Sequence, residues 1–147
     1  MFDELKKYKK HNHFFFNPGD DLEAVCNAPD LPGVFYIYRL ANHKVQLVYI
    51  GHSSHQVKET PSKRFQVEFY TLREEIINGC LFGRTANKES WSKKLKDENI
   101  DALDVYWHAT MDKQTKDFPE DVERLIMQQY IHLHGRLPLW NEKKRIK

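Results

Sequence analysis

Residues 31–54, LPGVFYIYRLANHKVQLVYIGHSS, decide how this chain is read. They hold two runs rich in β-branched and aromatic residues, separated by the short polar segment ANHK. Pro32-Gly33 opens the first run, and residues 34–40 carry apolar or aromatic side chains on both faces, as an inner strand does. Residues 45–50 form the second strand, most simply paired antiparallel to the first. That run ends in Tyr49-Ile50-Gly51 and passes into the polar segment GHSSHQVKETP.

Working outward, Phe65, Phe69, Leu72 and Ile76 recur at i, i+4, i+7 and i+11. The spacing predicts a helix capped by Ser62 and stopped by Asn78-Gly79. KESWSKKLKDEN predicts a further short helix. ALDVYWHA alternates Leu103, Val105 and Trp107 on one face, a third strand. FPEDVERLIMQQYIHLHG is a helix with Pro119 near its start and Gly135 as its stop. Upstream, MFDELKKYKK reads as a short amphipathic helix and the triple Phe at 14–16 as a patch packed on the main body. After the turn Asn17-Pro18-Gly19, Asp20 or Asp21 caps a short helix ending at Cys26. The expected fold is α/β of the α+β layer type, a small central three-stranded antiparallel sheet flanked by helices. Residues 1–30 form an N-terminal extension packed on a main domain of residues 31–147.

Composition excludes several classes. At 147 residues the chain fits one domain. The amino terminus lacks the apolar core of a signal peptide, and no run of about 18 apolar residues exists to span a membrane. Cys26 and Cys80 show neither CxxC nor metal spacing and read as reduced thiols of a cytoplasmic protein. Net charge is only +2, so the whole-protein field does not announce a nucleic-acid binder. The charge is uneven, however: Arg136, Lys143, Lys144, Arg145 and Lys147 crowd the last residues against Glu142 alone. Beside a phosphate-handling site, such a tail is a backbone contact.

Two residues stand out against their surroundings. Glu123 heads a partly apolar helical stripe with Ile126, Met127, Tyr130 and His134, where a carboxylate pays a desolvation penalty. An acid in the first turn is explained by the helix dipole, and its oxygens also suit Mg²⁺. Arg64 lies beside the apolar stripe at the start of its expected helix, where an arginine is usually a surface residue and where its planar fork also suits a phosphate. His52, which directly follows Gly51, reads with His43 and His55 as a solvated loop histidine; the alternative for His52 is contact with a phosphate or a proton relay near neutral pH. His132 and His134, at i and i+2 of a helix, point apart and make no zinc pair.

Taken in order, these residues resemble the GIY-YIG nuclease superfamily. Gly33-Val34-Phe35 stands at the first motif segment and Tyr49-Ile50-Gly51 matches the second. Arg64 in SKRF corresponds to the arginine of the following helix, Glu123 to the metal-binding glutamate, and Asn141 in LPLWN to the closing asparagine. The likeness spans roughly residues 31–141, and five short matches in order are far more specific than any one. It implies a divalent-metal-dependent endonuclease that hydrolyses phosphodiester bonds of DNA with one Mg²⁺ or Mn²⁺. Tyr49 would then orient or deprotonate the attacking water, Arg64 neutralise charge on the phosphate, Glu123 hold the metal, and Asn141 fix local geometry. Lys63, Arg64, Lys143, Lys144 and Arg145 would contact nucleic acid. Restriction-like relatives often act as dimers, which leaves a homodimer open.

The chain departs from the pattern at Phe35, which lacks the hydroxyl of the first motif tyrosine. In an alternative register Tyr36-Ile37-Tyr38 is the first segment and Tyr38 supplies the phenol. Strand alternation puts Phe35 and Tyr38 on opposite faces, so their equivalence requires a β-bulge. Two rivals follow: a catalytically impaired nucleic-acid-binding relative, and an interaction module that keeps the fold alone.

Overall fold

The structure, a computed structural model, describes the backbone of residues 2–145 and the side chains of residues 2–142. Lys143, Lys144 and Arg145, expected on phosphates, therefore lie outside the described side chains. After a 3₁₀ turn at Asp3–Lys7 come β1 (His11–Phe16), α1 (Leu22–Val25), β2 (Gly33–Ala41), β3 (Lys44–His52), β4 (His55–Glu59) and β5 (Phe65–Phe69). Then follow α2 (Leu72–Asn78), α3 (Asn87–Asp97), β6 (Ala102–Ala109), α4 (Pro119–His134) and α5 (Leu139–Arg145).

The expected three-stranded sheet is corrected on two counts. The main sheet has four antiparallel strands in the order β1-β6-β2-β3, and β4 and β5 form a separate two-stranded sheet. The first miss is the aromatic run. Phe14 and Phe16 are buried while Phe15 is 49% exposed, so the run alternates as a strand and pairs with β6. Three consecutive phenylalanines hide that alternation from a hydropathy reading. The second miss is the helix expected from Ser62. Phe65 and Phe69 fit a helical stripe and equally a strand of period two with Val67 between them. The strand wins because Val57 pairs with Val67 across a hairpin. The helix starts only at Leu72, where Thr71 and Glu74 form a reciprocal capping box.

The β2–β3 hairpin closes through Asn42 and His43, both at positive φ (53° and 60°), the conformation a two-residue type I′ turn requires. Farther along, Ile37 pairs with Tyr49 but Tyr38 pairs with Leu47, leaving Val48 as the extra residue of a bulge in β3. One face of the main sheet packs Phe14, Phe16, Phe35, Ile37, Val48, Tyr49, Leu103 and Val105 under α1, α2, α3 and α5. The other face packs Val34, Leu47 and Ile50 under α4 and the 3₁₀ turn. Helix α4 stops at Gly135 in the left-handed region at φ 72°. No helix among the described residues is long and apolar enough to cross a membrane.

Gly33 is demanded by packing. A Cβ there would sit 2.1 Å from the His108 carbonyl oxygen of β6 and 2.8 Å from Leu72 Cδ1. The β6 backbone cannot retreat without breaking its ladder to β2. Gly33→Ala should therefore destabilise the fold by about 3 kcal/mol or more. Urea denaturation checks this, with a lowered midpoint and an unchanged m-value expected.

Candidate active site

Strand β3 is an edge of the main sheet, so every second residue presents an unpaired backbone N–H and C=O outward. At Ile50 the Asn141 carboxamide fills that gap. The Ile50 N–H donates to Asn141 Oδ1 and Asn141 Nδ2 donates to the Ile50 carbonyl, both at 2.9 Å. One side chain from α5 thus imitates a rung of a neighbouring strand and fixes the centre of Tyr49-Ile50-Gly51. Trp140, 2% exposed, anchors the start of α5 in the core beside it.

Gly51 is equally constrained. A Cβ there would lie 2.6 Å from Tyr49 Cε2 and 3.0 Å from Phe35 Cζ. The Tyr49 ring therefore lies against Gly51, with Phe35 beside it at a centroid distance of 5.8 Å and a tilt of 43°. Both rings are nearly buried, at 8% and 4% exposure. Burial raises the Tyr49 phenol pKa above its ordinary value, and the Glu123 and Glu75 carboxylates raise it further. At neutral pH this phenol keeps its proton.

His52, the last residue of β3, faces α4. Its Nδ1 lies 3.0 Å from Glu123 Oε1, and each side chain is about a quarter exposed (28% and 24%). The hydrogen bond to Glu123 raises the His52 pKa above the usual histidine value, burial opposes it, and the charges of Glu123, Glu75 and Glu120 add to the rise. Glu75 comes from α2 and accepts hydrogen bonds from the Ser54 backbone (3.2 Å) and hydroxyl (3.1 Å). Ser53 seals the strand end, donating its backbone N–H to the Gly33 carbonyl (2.9 Å) and accepting the Gly33 N–H on Oγ (2.9 Å).

The structure thus gathers Tyr49, His52, Glu123 and Asn141 around the last residues of β3. Tyr49 belongs to the face under α2 and α5, whereas Glu123 comes from α4 on the other face, and the Glu123 charge still acts on the Tyr49 phenol. Arg64 is not with them. It sits exposed in the turn of the β4–β5 hairpin beside Lys63, because the helix expected there is a strand pair. The arginine on the helix that follows is Arg73, and its guanidinium donates to the carbonyls of Glu23 and Cys26, both at 2.8 Å. Tyr38 lies apart as well, on the α4 face with its ring edge-on to Tyr36 and Tyr106. The bulge occurs in β3, not β2, so it does not bring Tyr38 onto the face of Tyr49. Glu75 and Ser54 escaped the sequence reading. Glu75 carries no motif signal, and the helix that presents it starts at Leu72 rather than after Ser62.

Among the described residues no three His, Cys, Asp or Glu side chains are arranged to hold a metal ion. No family model, curated protein or solved structure matches the chain.

Two outcomes follow from this geometry. Because the folded-state pKa of His52 is raised, its pair with Glu123 stabilises the fold fully below the unfolded histidine value of about 6.5. That contribution is lost as pH rises through the folded value. The stability deficit of Glu123→Gln should accordingly be larger at pH 6 than at pH 9, and the His52 titration followed by NMR should move downward in that variant. Asn141→Ala leaves the Ile50 N–H and C=O without partners and should cost about 2–3 kcal/mol in thermal or chemical unfolding.

Proposed function

We propose that this chain is a divalent-metal-dependent DNA endonuclease that hydrolyses phosphodiester bonds at the end of β3. The observation that carries the reading is the contact of His52 with Glu123 beside Tyr49, on an edge strand held by Asn141. It joins an imidazole and a carboxylate, each about a quarter exposed, with a buried phenol on which the same carboxylate acts. The motif order of the sequence supports the same reading.

The donor set fits Mg²⁺ or Mn²⁺. Mg²⁺ is commonly bound by one or two carboxylates plus substrate phosphate and waters, so a cage of three protein ligands is not required. Glu123 Oε1 is taken by His52, which leaves Oε2 for a cation. When bound, the metal would polarise the scissile phosphate and stabilise the leaving oxygen. The protein groups divide the remaining work. Tyr49, kept protonated by its buried and acidic surroundings, would orient the attacking water rather than deprotonate it unaided. His52, held towards its protonated form by Glu123, would donate a proton to the leaving oxygen as the phosphorus–oxygen bond breaks. Asn141 would keep the strand that carries both residues in place.

A second reading rests on two specific observations. Phe35 brings no hydroxyl to the ring pair, and Arg64 lies outside the cluster, so the phosphate lacks the arginine that the motif order implied. A nucleic-acid-binding relative without catalysis accommodates both. Supercoiled plasmid incubated with Mg²⁺ separates the two. The nuclease reading expects metal-dependent nicking, abolished in Glu123→Ala and reduced about 10²–10⁴-fold in Tyr49→Phe and in His52→Ala. Undiminished nicking by Glu123→Ala would overturn the assignment. Salt-sensitive binding without nicking, converted to nicking by Phe35→Tyr, would establish the binding relative.

A further inference from the structure

The β4–β5 hairpin is inserted at the point where β3 leaves the site, and it pairs with nothing but itself. Its two faces are unlike. Gln56, Lys58, Gln66 and Glu68 occupy one, where Lys58 and Gln56 both reach Glu68 at 2.6 and 3.1 Å. The other carries Val57, Val67 and Phe65, left bare at 57, 47 and 75% exposure, with the exposed Glu59 directly opposite Phe65. Only the root of that face is covered. Phe69 packs on His55 at 5.7 Å and on Phe118, just before α4, at 5.5 Å. A two-stranded hairpin with a mostly apolar face uncovered is marginal in water, and this face is open to an occupant.

The tip says which occupant. Its turn is tied by the Thr60 N–H donating to the Arg64 carbonyl and the Lys63 N–H donating to the Thr60 carbonyl, both at 2.8 Å. Lys63 holds a left-handed backbone at φ 61°. The ties present Lys63, Arg64 and Phe65 side by side, all exposed, and neither cation forms an ion pair among the described residues. Two unpaired cations beside an exposed aromatic ring complement a phosphate backbone and the base stack within it. A two-stranded ribbon also has the width of a DNA groove.

We infer that the β4–β5 hairpin is an arm that grips duplex DNA, with Lys63 and Arg64 on phosphates and Phe65 as a wedge between base pairs. The inference names the partner surface of the nuclease proposed above and rests on that reading for its choice of ligand. It gives Arg64 a binding role in place of a catalytic one. It also explains how a chain of small net charge would hold DNA, since the contact is local.

Fluorescence anisotropy of the full chain on a labelled duplex, in chelator so that no cleavage intervenes, tests the arm across a KCl series. Lys63→Ala/Arg64→Ala should weaken binding about tenfold and lower the slope of log K against log salt by about 2. Phe65→Ala should weaken binding with the slope unchanged, and should abolish the fluorescence rise of 2-aminopurine placed in the duplex. Circular dichroism melts confirm that these exposed substitutions leave the fold intact. No duplex binding by the wild type, or equal affinity and slope in the double variant, would overturn the arm. So would a wild-type dimer that Phe65→Ala converts to a monomer with DNA affinity unchanged, which makes the bare face a contact between copies. The two proposals fail separately. Arm-dependent binding without nicking sinks the nuclease and keeps the arm, whereas nicking by the wild type with unaltered binding in the arm variants does the reverse.

Discussion

A single extra residue, Val48, sets the geometry on which the site depends. In β3 the side chains on either side of it are out of phase: Leu47 faces α4, Val48 and Tyr49 both face α2, and Ile50 returns to the α4 side. A regular strand with the same hairpin turn would reverse every residue after Val48. Tyr49 would then point towards α4 and His52 away from it, out of reach of Glu123. The bulge is held in place from both directions. Val48 is fully buried in the core beside α5, and Asn141 clamps the next α4-facing residue, Ile50. Bulges commonly re-aim side chains beside functional sites, and here the re-aiming assembles one.

How far this was legible in the sequence differs from element to element. Strands β2 and β3 and helix α4 could be read because glycine, proline and dense β-branched or aromatic runs or a helical stripe mark them, and β6 because it alternates cleanly. The glycines at 33 and 51 also carried a true signal, although its physical content was close approach: β6 backbone at Gly33, and the Tyr49 and Phe35 rings at Gly51. The arm was not legible because apolar residues at 65, 69, 72 and 76 satisfy the helical period by coincidence while a cross-strand partner, Val57, decides otherwise. The bulge leaves no trace in composition or period. The site divides along the same line. Tyr49, Glu123 and Asn141 were named from motif order and His52 only from its place after Gly51, and the structure brings His52 to Glu123 and Asn141 to Ile50, whereas Glu75 and the separation of Arg64 depend on where α2 begins.

The electrostatics of the cluster are lopsided. Glu75, Glu120 and Glu123 all act on His52, and Glu75 and Glu123 act on Tyr49, with no arginine among them. Such a field disfavours an incoming phosphate and favours a cation. A nuclease built this way gains its affinity for the anionic substrate elsewhere and its compensation at the scissile group from metal. The two proposals are therefore linked physically: the more acidic the site, the more a separate cationic contact such as the arm tip is needed to bring DNA to it.

Phe35 then marks where the chemistry of the site ends and its packing begins. The ring is 4% exposed and leans on Tyr49, whose orientation over Gly51 it helps to define. A hydroxyl added there would enter a nearly dry environment and would need a partner to be stable. The Glu123 and Glu75 carboxylates that act on the neighbouring Tyr49 are acceptors of the right kind. A phenol at 35 would thus be held neutral by the same field that keeps Tyr49 protonated, and would add a second hydrogen-bond donor without adding a base. On these grounds the missing hydroxyl removes a positioning contact, and the burden of orienting water falls on Tyr49.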